Sequence, residues 1–105
     1  MIKNDLENKL TIITERCLEM LDEAVIYLRE TALVPEQAEI MNNQFFKAVK
    51  LLEVMPGIGT KYKNGMRKIR LGKFRYNIFY IESKAKIEIL GIWHTSRGTD
   101  FKDED

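Results

Sequence analysis

The sequence predicts an α+β fold of order β-α-α-β-β-β, in which a helical hairpin packs on a small, twisted, mostly antiparallel sheet. Two long segments before residue 55 repeat apolar residues at intervals of three and four, as amphipathic helices do. Pro56-Gly57 ends that pattern, and apolar residues then alternate with a period of two, as in strands. A length of 105 residues with 45% hydrophobic content predicts a single domain, 1–105.

The first helix is predicted over residues 15–31, directly after a short β-prone run at residues 10–13. Thr14 is a favourable N-cap, and Glu15 follows in the first turn, where the positive end of the helix dipole favours an acidic residue. Residues 1–8 are polar and are interpreted as a lead-in. The buried stripe of the helix consists of Cys17, Leu21, Ala24 and Leu28.

The second helix is predicted over residues 36–54. Pro35 suits its first turn, where a missing N–H costs nothing, and Pro56 disfavours helical geometry in the residue before it. The short break after the first helix makes the pair an antiparallel hairpin. The apolar stripe of the second helix consists of Ala38, Met41, Phe45, Ala48 and Leu52.

Three strands are predicted between residues 65 and 94, and the nearly continuous apolar run at 87–93 indicates a central one. The acidic segment 99–105 is expected to fray. Alternation in the middle strand assigns one set of residues to the helix side: Phe74, Tyr76, Ile78 and Tyr80. It assigns another set to the opposite face: Arg75, Asn77, Phe79 and Ile81.

Charge divides the chain into three parts. Residues 1–53 carry six Lys/Arg against ten Asp/Glu, residues 54–98 carry ten against two (about +8), and residues 99–105 carry one against four. A basic sheet segment fits a partner with phosphates or carboxylates, although Lys on a sheet edge also simply discourages edge-to-edge pairing. The candidate phosphate- or partner-binding cations are Lys61, Lys63, Arg67, Lys68, Arg70 and Lys73.

Composition argues against several classes of protein. No window has the eighteen or so unbroken apolar residues of a membrane span, and the polar start does not resemble a secretory signal. We therefore expect a cytoplasmic protein without a membrane partner. One cysteine and one histidine do not make a structural zinc site, and no cofactor or metal is expected. Cys17 lies on the apolar face of a helix and is interpreted as a buried, inert thiol.

Three stretches together resemble the RelE/ParE superfamily of toxins from bacterial type II toxin–antitoxin pairs, in particular the plasmid-stabilisation group. They are MPGIG after the second helix, RKIRLGKFRYNIFY, and IEILGIWHTSR. The resemblance covers about residues 9–98. It implies a toxin that a cognate antitoxin holds inactive. RelE-like members cut mRNA in the ribosomal A site, and ParE-like members share the fold but inhibit DNA gyrase.

The resemblance makes His94, Arg75 and Arg97 candidate catalytic residues. Metal-free RNA cleavage needs proton transfer at the 2′-OH and the leaving oxygen, and stabilisation of charge on the phosphate. His94 occupies the family's strand-end His position, but Thr95 replaces the Tyr that follows. Asn77 stands where the nucleases keep an Arg, and Arg75 lies two residues earlier, roughly 7 Å away along a strand. Whether the protein is an enzyme therefore stays open.

Other functional interpretations have structural alternatives. His94 is as well explained as a core histidine at a strand end, and Trp93 follows the apolar alternation and fits the core. Tyr62, between two lysines, is the aromatic residue best suited to stack on a base. Three functions remain: a ParE-like toxin that binds a protein target, which the replacements favour; a RelE-like endoribonuclease; and a binding module without toxicity.

Overall fold

In the computed structural model, residues 9–97 and 101–102 are described. The lead-in predicted at 1–8 lies outside the described residues. The helices are α1 (Glu15–Ile26) and α2 (Pro35–Val54). The strands are β1 (Leu10–Ile13), β2 (Thr60–Lys61), β3 (Met66–Arg70), β4 (Tyr76–Glu82) and β5 (Lys86–His94).

The five strands form one sheet in the order β1-β5-β4-β3-β2. Strand β1 runs parallel to β5, and the other neighbours are antiparallel. Both helices pack on one face, so the predicted α+β fold with a mostly antiparallel sheet is confirmed. The predicted interior position of the last strand is also confirmed, because β5 lies between β1 and β4.

The local signals for the two helices act as predicted. Thr14 caps α1, since its Oγ1 accepts a hydrogen bond from the Cys17 N–H at 3.1 Å. Helix α1 continues into a π-helical turn, Tyr27–Thr31, so its predicted extent is right but its last turn is wider. Helix α2 has Pro35 in its first turn and ends at Val54, before Pro56.

The main core lies between the helices and the sheet. Its largest members come from both layers, and each is fully buried: Met41, Phe45, Leu52, Leu71, Ile78, Tyr80, Ile87 and Ile89. Tyr76 packs against the same core, so both tyrosines of β4 face the helices as predicted. Burial of an apolar side chain contributes about 1.5–3 kcal/mol, so this layer dominates the stability of the fold.

A β-bulge in β5 changes which residues face the helices. Phe79 pairs with Gly91 and Tyr80 pairs with Ile89, so Leu90 is an extra residue without a partner in the register. Before the bulge Ile89 faces the helices, and after it Ile92 does. Leu90 instead belongs to a second, smaller cluster on the opposite face, with Met66, Phe79 and Phe101.

Two features depart from the sequence-based prediction. Strand β2 was not predicted, because two residues are too few to show alternation. Within the acidic segment 99–105, which is expected to fray, Phe101 is 0% exposed on the face of the sheet opposite the main core, a burial that the sequence did not predict. Apolar burial of one aromatic ring outweighs the polarity of its neighbours in the chain. Residues 98–100 and 103–105 lie outside the described residues.

Candidate functional site

His94 lies in an open cleft of about 400 Å³ between α1 and the end of β5. The cleft is lined by Met20, Glu23, Ala24, Tyr27, Tyr76, Ile92, His94, Ser96 and Arg97. The bulge at Leu90 places His94 on this side, because His94 pairs with Tyr76, whose ring faces the helices. The sequence identified His94 as a candidate but gave no signal for the bulge that orients it.

Hydrogen bonds around His94 determine where the neutral ring carries its hydrogen. The backbone N–H of Ser96 donates to His94 Nδ1 at 3.0 Å, and the Ser96 hydroxyl lies 2.7 Å from the same atom. A backbone N–H can only donate, so Nδ1 accepts and the hydrogen of the neutral ring is on Nε2. The ring also packs edge-on against Tyr76, at a centroid distance of 4.9 Å. In this arrangement the neutral His94 ring donates through Nε2 only.

Tyr76 and Arg97 are the neighbours of His94 that can act on a charged ligand. Burial raises the pKa of Tyr76 above its ordinary value, against a smaller lowering effect of Arg97, so its phenol stays neutral at physiological pH. The Arg97 guanidinium lies 5.0 Å from the centroid of the Trp93 ring. A histidine, a tyrosine, an arginine and Glu23 thus line one cleft.

Arg75, the third candidate catalytic residue, is not among the residues that line the cleft. It precedes β4 with an exposed side chain, and its carbonyl accepts a hydrogen bond from the Thr95 N–H at 2.8 Å. Asn77, where the resemblance to the nucleases implies an Arg, pairs with Trp93, next to the pair formed by Tyr76 and His94. Because successive residues of a strand face opposite sides, Asn77 faces away from the cleft.

The six candidate cations are distributed over both sides of β2 and β3 and the loops beside them. Arg67 Nη1 donates to the Gly59 carbonyl at 2.7 Å, and Arg67 pairs with Tyr80, on the helix side. Tyr80 is four residues along β4 from the partner of His94, roughly 13 Å at the usual strand rise. Arg67 is thus bonded near the start of β2 and is not among the residues that line the His94 cleft. Lys73 is exposed in the turn between β3 and β4.

Lys68 and Arg70 lie on the helix-free face, because they alternate with Ile69, which packs into the helix-side core. There Lys68 Nζ lies 5.4 Å from the centroid of the Tyr62 ring, and Lys63 Nζ lies 5.6 Å from it. Arg70 Nε donates to the Phe74 carbonyl at 3.2 Å.

An aromatic cluster with cations at its rim occupies the helix-free face. The rings are Tyr62, Phe79, Trp93 and Phe101. All four cation–π contacts among the described residues involve these rings, and the cations are Arg16, Lys63, Lys68 and Arg97. We call this set the aromatic–cation cluster. It combines apolar area with positive charge, which suits an acidic peptide carrying an apolar residue.

Of the two aromatic residues considered for base stacking, Tyr62 differs from its sequence-based interpretation and Trp93 agrees with the core interpretation. Tyr62 is half-buried, with its ring edge-on against Phe79 at 4.9 Å between centroids. Its ring thus packs within the cluster rather than standing out to stack on a base. Trp93 is half-buried and packs against the second cluster, as the core interpretation predicts. Neighbouring apolar side chains explain both positions.

The MPGIG stretch has a structural explanation that sequence reasoning missed. The buried Tyr80 hydroxyl donates to the Pro56 carbonyl at 2.8 Å and accepts from the Gly59 N–H at 2.9 Å. A Cβ at residue 59 would lie 2.5 Å from that oxygen and 2.9 Å from the Lys68 carbonyl, so only glycine fits. The motif joins the end of α2 to the sheet and positions Lys61, the cation that follows it.

Cys17 is buried in the core, as the sequence-based interpretation of a buried thiol predicts. Burial raises the pKa of its thiol to about 12, although Arg16 acts in the opposite direction. The described residues contain no helix long and apolar enough to cross a membrane. They also contain no group of three or more His, Cys, Asp or Glu side chains that could hold a metal ion.

Comparison with known proteins identifies the family. No curated protein is significantly similar to this chain in sequence. A solved structure described as the chromosomal ParDE TA system from P. aeruginosa is similar, with a TM-score of 0.72 and 21% identity over 84% of this chain and 97% of that chain. At that identity the likeness shows the fold. The family model described as the ParE toxin of the type II toxin–antitoxin system, parDE, matches residues 11–98. The chain therefore belongs to the ParE toxin family of type II toxin–antitoxin systems.

Proposed function

We propose that the protein inhibits growth by binding a cellular protein, with DNA gyrase as the target, and that a cognate antitoxin neutralises it. The observation that carries this proposal is the separation of the candidate catalytic groups. His94 and Arg97 line the cleft, Arg75 and Asn77 do not, and Arg67 lies two strands away. Phosphoryl chemistry needs donors that converge on one phosphate, whereas binding does not.

A ribosome-dependent, metal-free endoribonuclease is the second candidate. The juxtaposition of His94 with Arg97 in one cleft favours it, because an imidazole and a guanidinium are groups that such cleavage uses. Thr95 has no phenol to complete the set. Tyr76 supplies a neutral phenol nearby, but its partly buried position and its packing against His94 explain it as structure.

The antitoxin is proposed to bind the basic sheet segment with an acidic, partly disordered chain that folds on binding. Residues 54–98 carry ten Lys/Arg against two Asp/Glu, which attracts such a chain. Association should then slow by roughly ten-fold or more between low salt and 0.5 M salt, since exposed charges are screened. Association rates that do not change with salt would contradict recognition through the basic segment.

The experiment that tests the proposed target compares two activities of the purified protein. Gyrase supercoiling and gyrase-linked DNA breaks are measured in one reaction, and cleavage of mRNA on translating ribosomes in another. We expect inhibition of gyrase and intact mRNA. Cuts in mRNA with unaffected gyrase would establish the nuclease. Neither activity, together with normal growth of cells that express the protein without antitoxin, would leave only a binding module.

A further inference from the structure

The acidic segment 99–105 has a single aromatic residue, Phe101, and the aromatic–cation cluster buries it completely. The Phe101 ring stacks on Phe79 at a centroid distance of 4.4 Å and an interplanar angle of 14°. It also meets the Trp93 ring edge-on, at 5.7 Å. Phe101 therefore fills a defined position between rings of the sheet.

The position that holds Phe101 is open on the sheet side because of a glycine. A Cβ at Gly91 would lie 2.8 Å from Phe101 Cε1 and 2.9 Å from Met20 Sδ. With hydrogen there, the ring of Phe101 lies directly against the backbone of β5. We call this position the Phe101 slot; its walls are Phe79, Trp93 and Gly91.

Two polar contacts to Phe101 and Lys102, the described residues of this segment, are made to backbone carbonyls. Arg16 Nη1 donates to the Lys102 carbonyl at 2.8 Å, and the Tyr62 hydroxyl donates to the Phe101 carbonyl at 3.3 Å. The Arg16 guanidinium also lies 5.1 Å from the centroid of the Phe101 ring. Backbone carbonyls occur in every peptide, so these contacts accept any segment that brings an aromatic ring to the slot.

The positive charge around the slot favours an acidic segment as its ligand. Four cations lie over rings of the cluster, and residues 99–105 carry four Asp/Glu against one Lys. An acidic segment with one aromatic residue is therefore matched to this surface in both its charge and its apolar content. The antitoxin segment proposed above shares the acidic character.

We propose that the Phe101 slot recognises an aromatic residue within an acidic segment of the antitoxin, and that the chain's own Phe101 occupies the slot in its absence. The inference rests on the proposed neutralisation by an antitoxin and names a chemical feature of that partner. The chain's own segment acts as an intramolecular competitor. The tether keeps this segment at an effective concentration of about millimolar, as short tethers do. A partner segment must bind the slot tightly enough to overcome that competition.

Trp93 is the only tryptophan of the chain and forms part of the slot, so its fluorescence reports occupancy. The experiment uses the full-length Phe101→Ala variant and residues 99–105 as a free peptide. We expect red-shifted Trp93 emission in the variant, because water enters the slot, and a return towards the wild-type spectrum as the peptide is added. The wild-type protein should bind the peptide roughly ten- to hundred-fold more weakly than the variant does, because its own Phe101 must first leave the slot. This factor corresponds to the free energy of burying one aromatic side chain.

Two controls separate the slot from general charge attraction. The peptide with Phe101 replaced by Ala keeps the charge and should not restore the spectrum. The double variant Phe101→Ala with Gly91→Ala puts a methyl group into the slot and should lose peptide binding by ten-fold or more. If Phe101→Ala fails to fold by circular dichroism, Phe101→Leu retains apolar burial and should still exchange with the peptide.

The proposal is overturned if the variant keeps the wild-type emission, or if the Ala-containing peptide binds as well as the original. It is also overturned if wild type and a folded variant bind the peptide equally. These measurements do not depend on toxicity or on gyrase. If the protein does not inhibit gyrase but still binds the peptide through its aromatic residue, the proposed target is contradicted and the proposal for the slot stands.

Discussion

The two faces of the sheet bury aromatic residues in different ways. The helix side is an apolar layer in which Phe45 and Ile78 are fully buried between helices and strands. The helix-free face buries Phe79 and Phe101, but cations lie over the rings and Phe101 comes from an acidic segment. Both faces bury apolar area, but the cation–π contacts among the described residues all involve rings of the second face. The first face therefore determines the fold, and the second is the better candidate for recognition.

The largest expected effect tests the helix-side core. Phe45→Asp places an unpaired charge at a fully buried position and should unfold the domain. The free-energy cost of burying the charge is comparable to, or larger than, a typical stability of about 5–15 kcal/mol. Leu21→Asp, at a 4% exposed position, should act in the same way. Thermal unfolding measures both.

The matched control for this prediction is Phe46→Asp, next along α2 and 41% exposed. It should cost about 1 kcal/mol, since surface substitutions of this kind have small effects. Equal losses of stability at residues 45 and 46 would show that the buried face of α2 is assigned wrongly.

An intermediate effect is expected at the junction between the helical hairpin and the sheet. Tyr80→Phe leaves the Pro56 carbonyl and the Gly59 N–H without their partner, which should cost about 1–3 kcal/mol in chemical denaturation. Tyr27→Phe, at a 55% exposed position, is the control and should be nearly neutral. A Tyr80→Phe protein as stable as wild type would remove this explanation of the MPGIG motif.

The same tyrosine predicts a loss of stability at alkaline pH. Burial raises the pKa of Tyr80 above its ordinary value of 10.0, so above that pH the unfolded chain releases a proton that the folded chain retains. The associated stability is complete below pH 10.0 and is lost as the pH rises towards the folded pKa. Tyr80→Phe should show a shallower decline, with Tyr76 accounting for part of the remainder.

The smallest effect is expected at Cys17. With its thiol pKa raised from 9.0 to about 12, the folded protein holds roughly a thousand-fold less thiolate at neutral pH than an unfolded chain. A thiol reagent such as DTNB should therefore react slowly with the native protein and at once after denaturation. Rapid reaction in the folded state would show that α1 opens more readily than its packing implies.

The elements that the sequence predicted correctly are those with local or periodic signals. Thr14 and Pro35 mark the starts of the helices through backbone chemistry, and the alternation in β4 separates Tyr80 from Phe79. The bulge at Leu90 was not predictable from the sequence. In a run of consecutive apolar residues, the alternation of side chains between the two faces of a strand leaves no visible pattern. The side on which His94 lies depends on that bulge.

The aromatic–cation cluster was predictable only in part. The excess of Lys and Arg indicated a basic surface, but Phe101 stands in an acidic segment that the charge pattern describes as solvated. Its burial depends on Phe79 and Gly91, which are distant in sequence. Long-range packing of this kind leaves no periodic signal in a single chain.

The most direct test of the central claim, that the protein acts by binding and not by cleaving RNA, is the toxicity of His94→Ala in cells without antitoxin. We predict that a folded His94→Ala protein still arrests growth, because His94 would be the proton-transfer group only of a nuclease. A nuclease would instead lose roughly 10² to 10⁴-fold in cleavage. Loss of all toxicity in the folded variant, together with mRNA cleavage by the wild-type protein, would contradict the account.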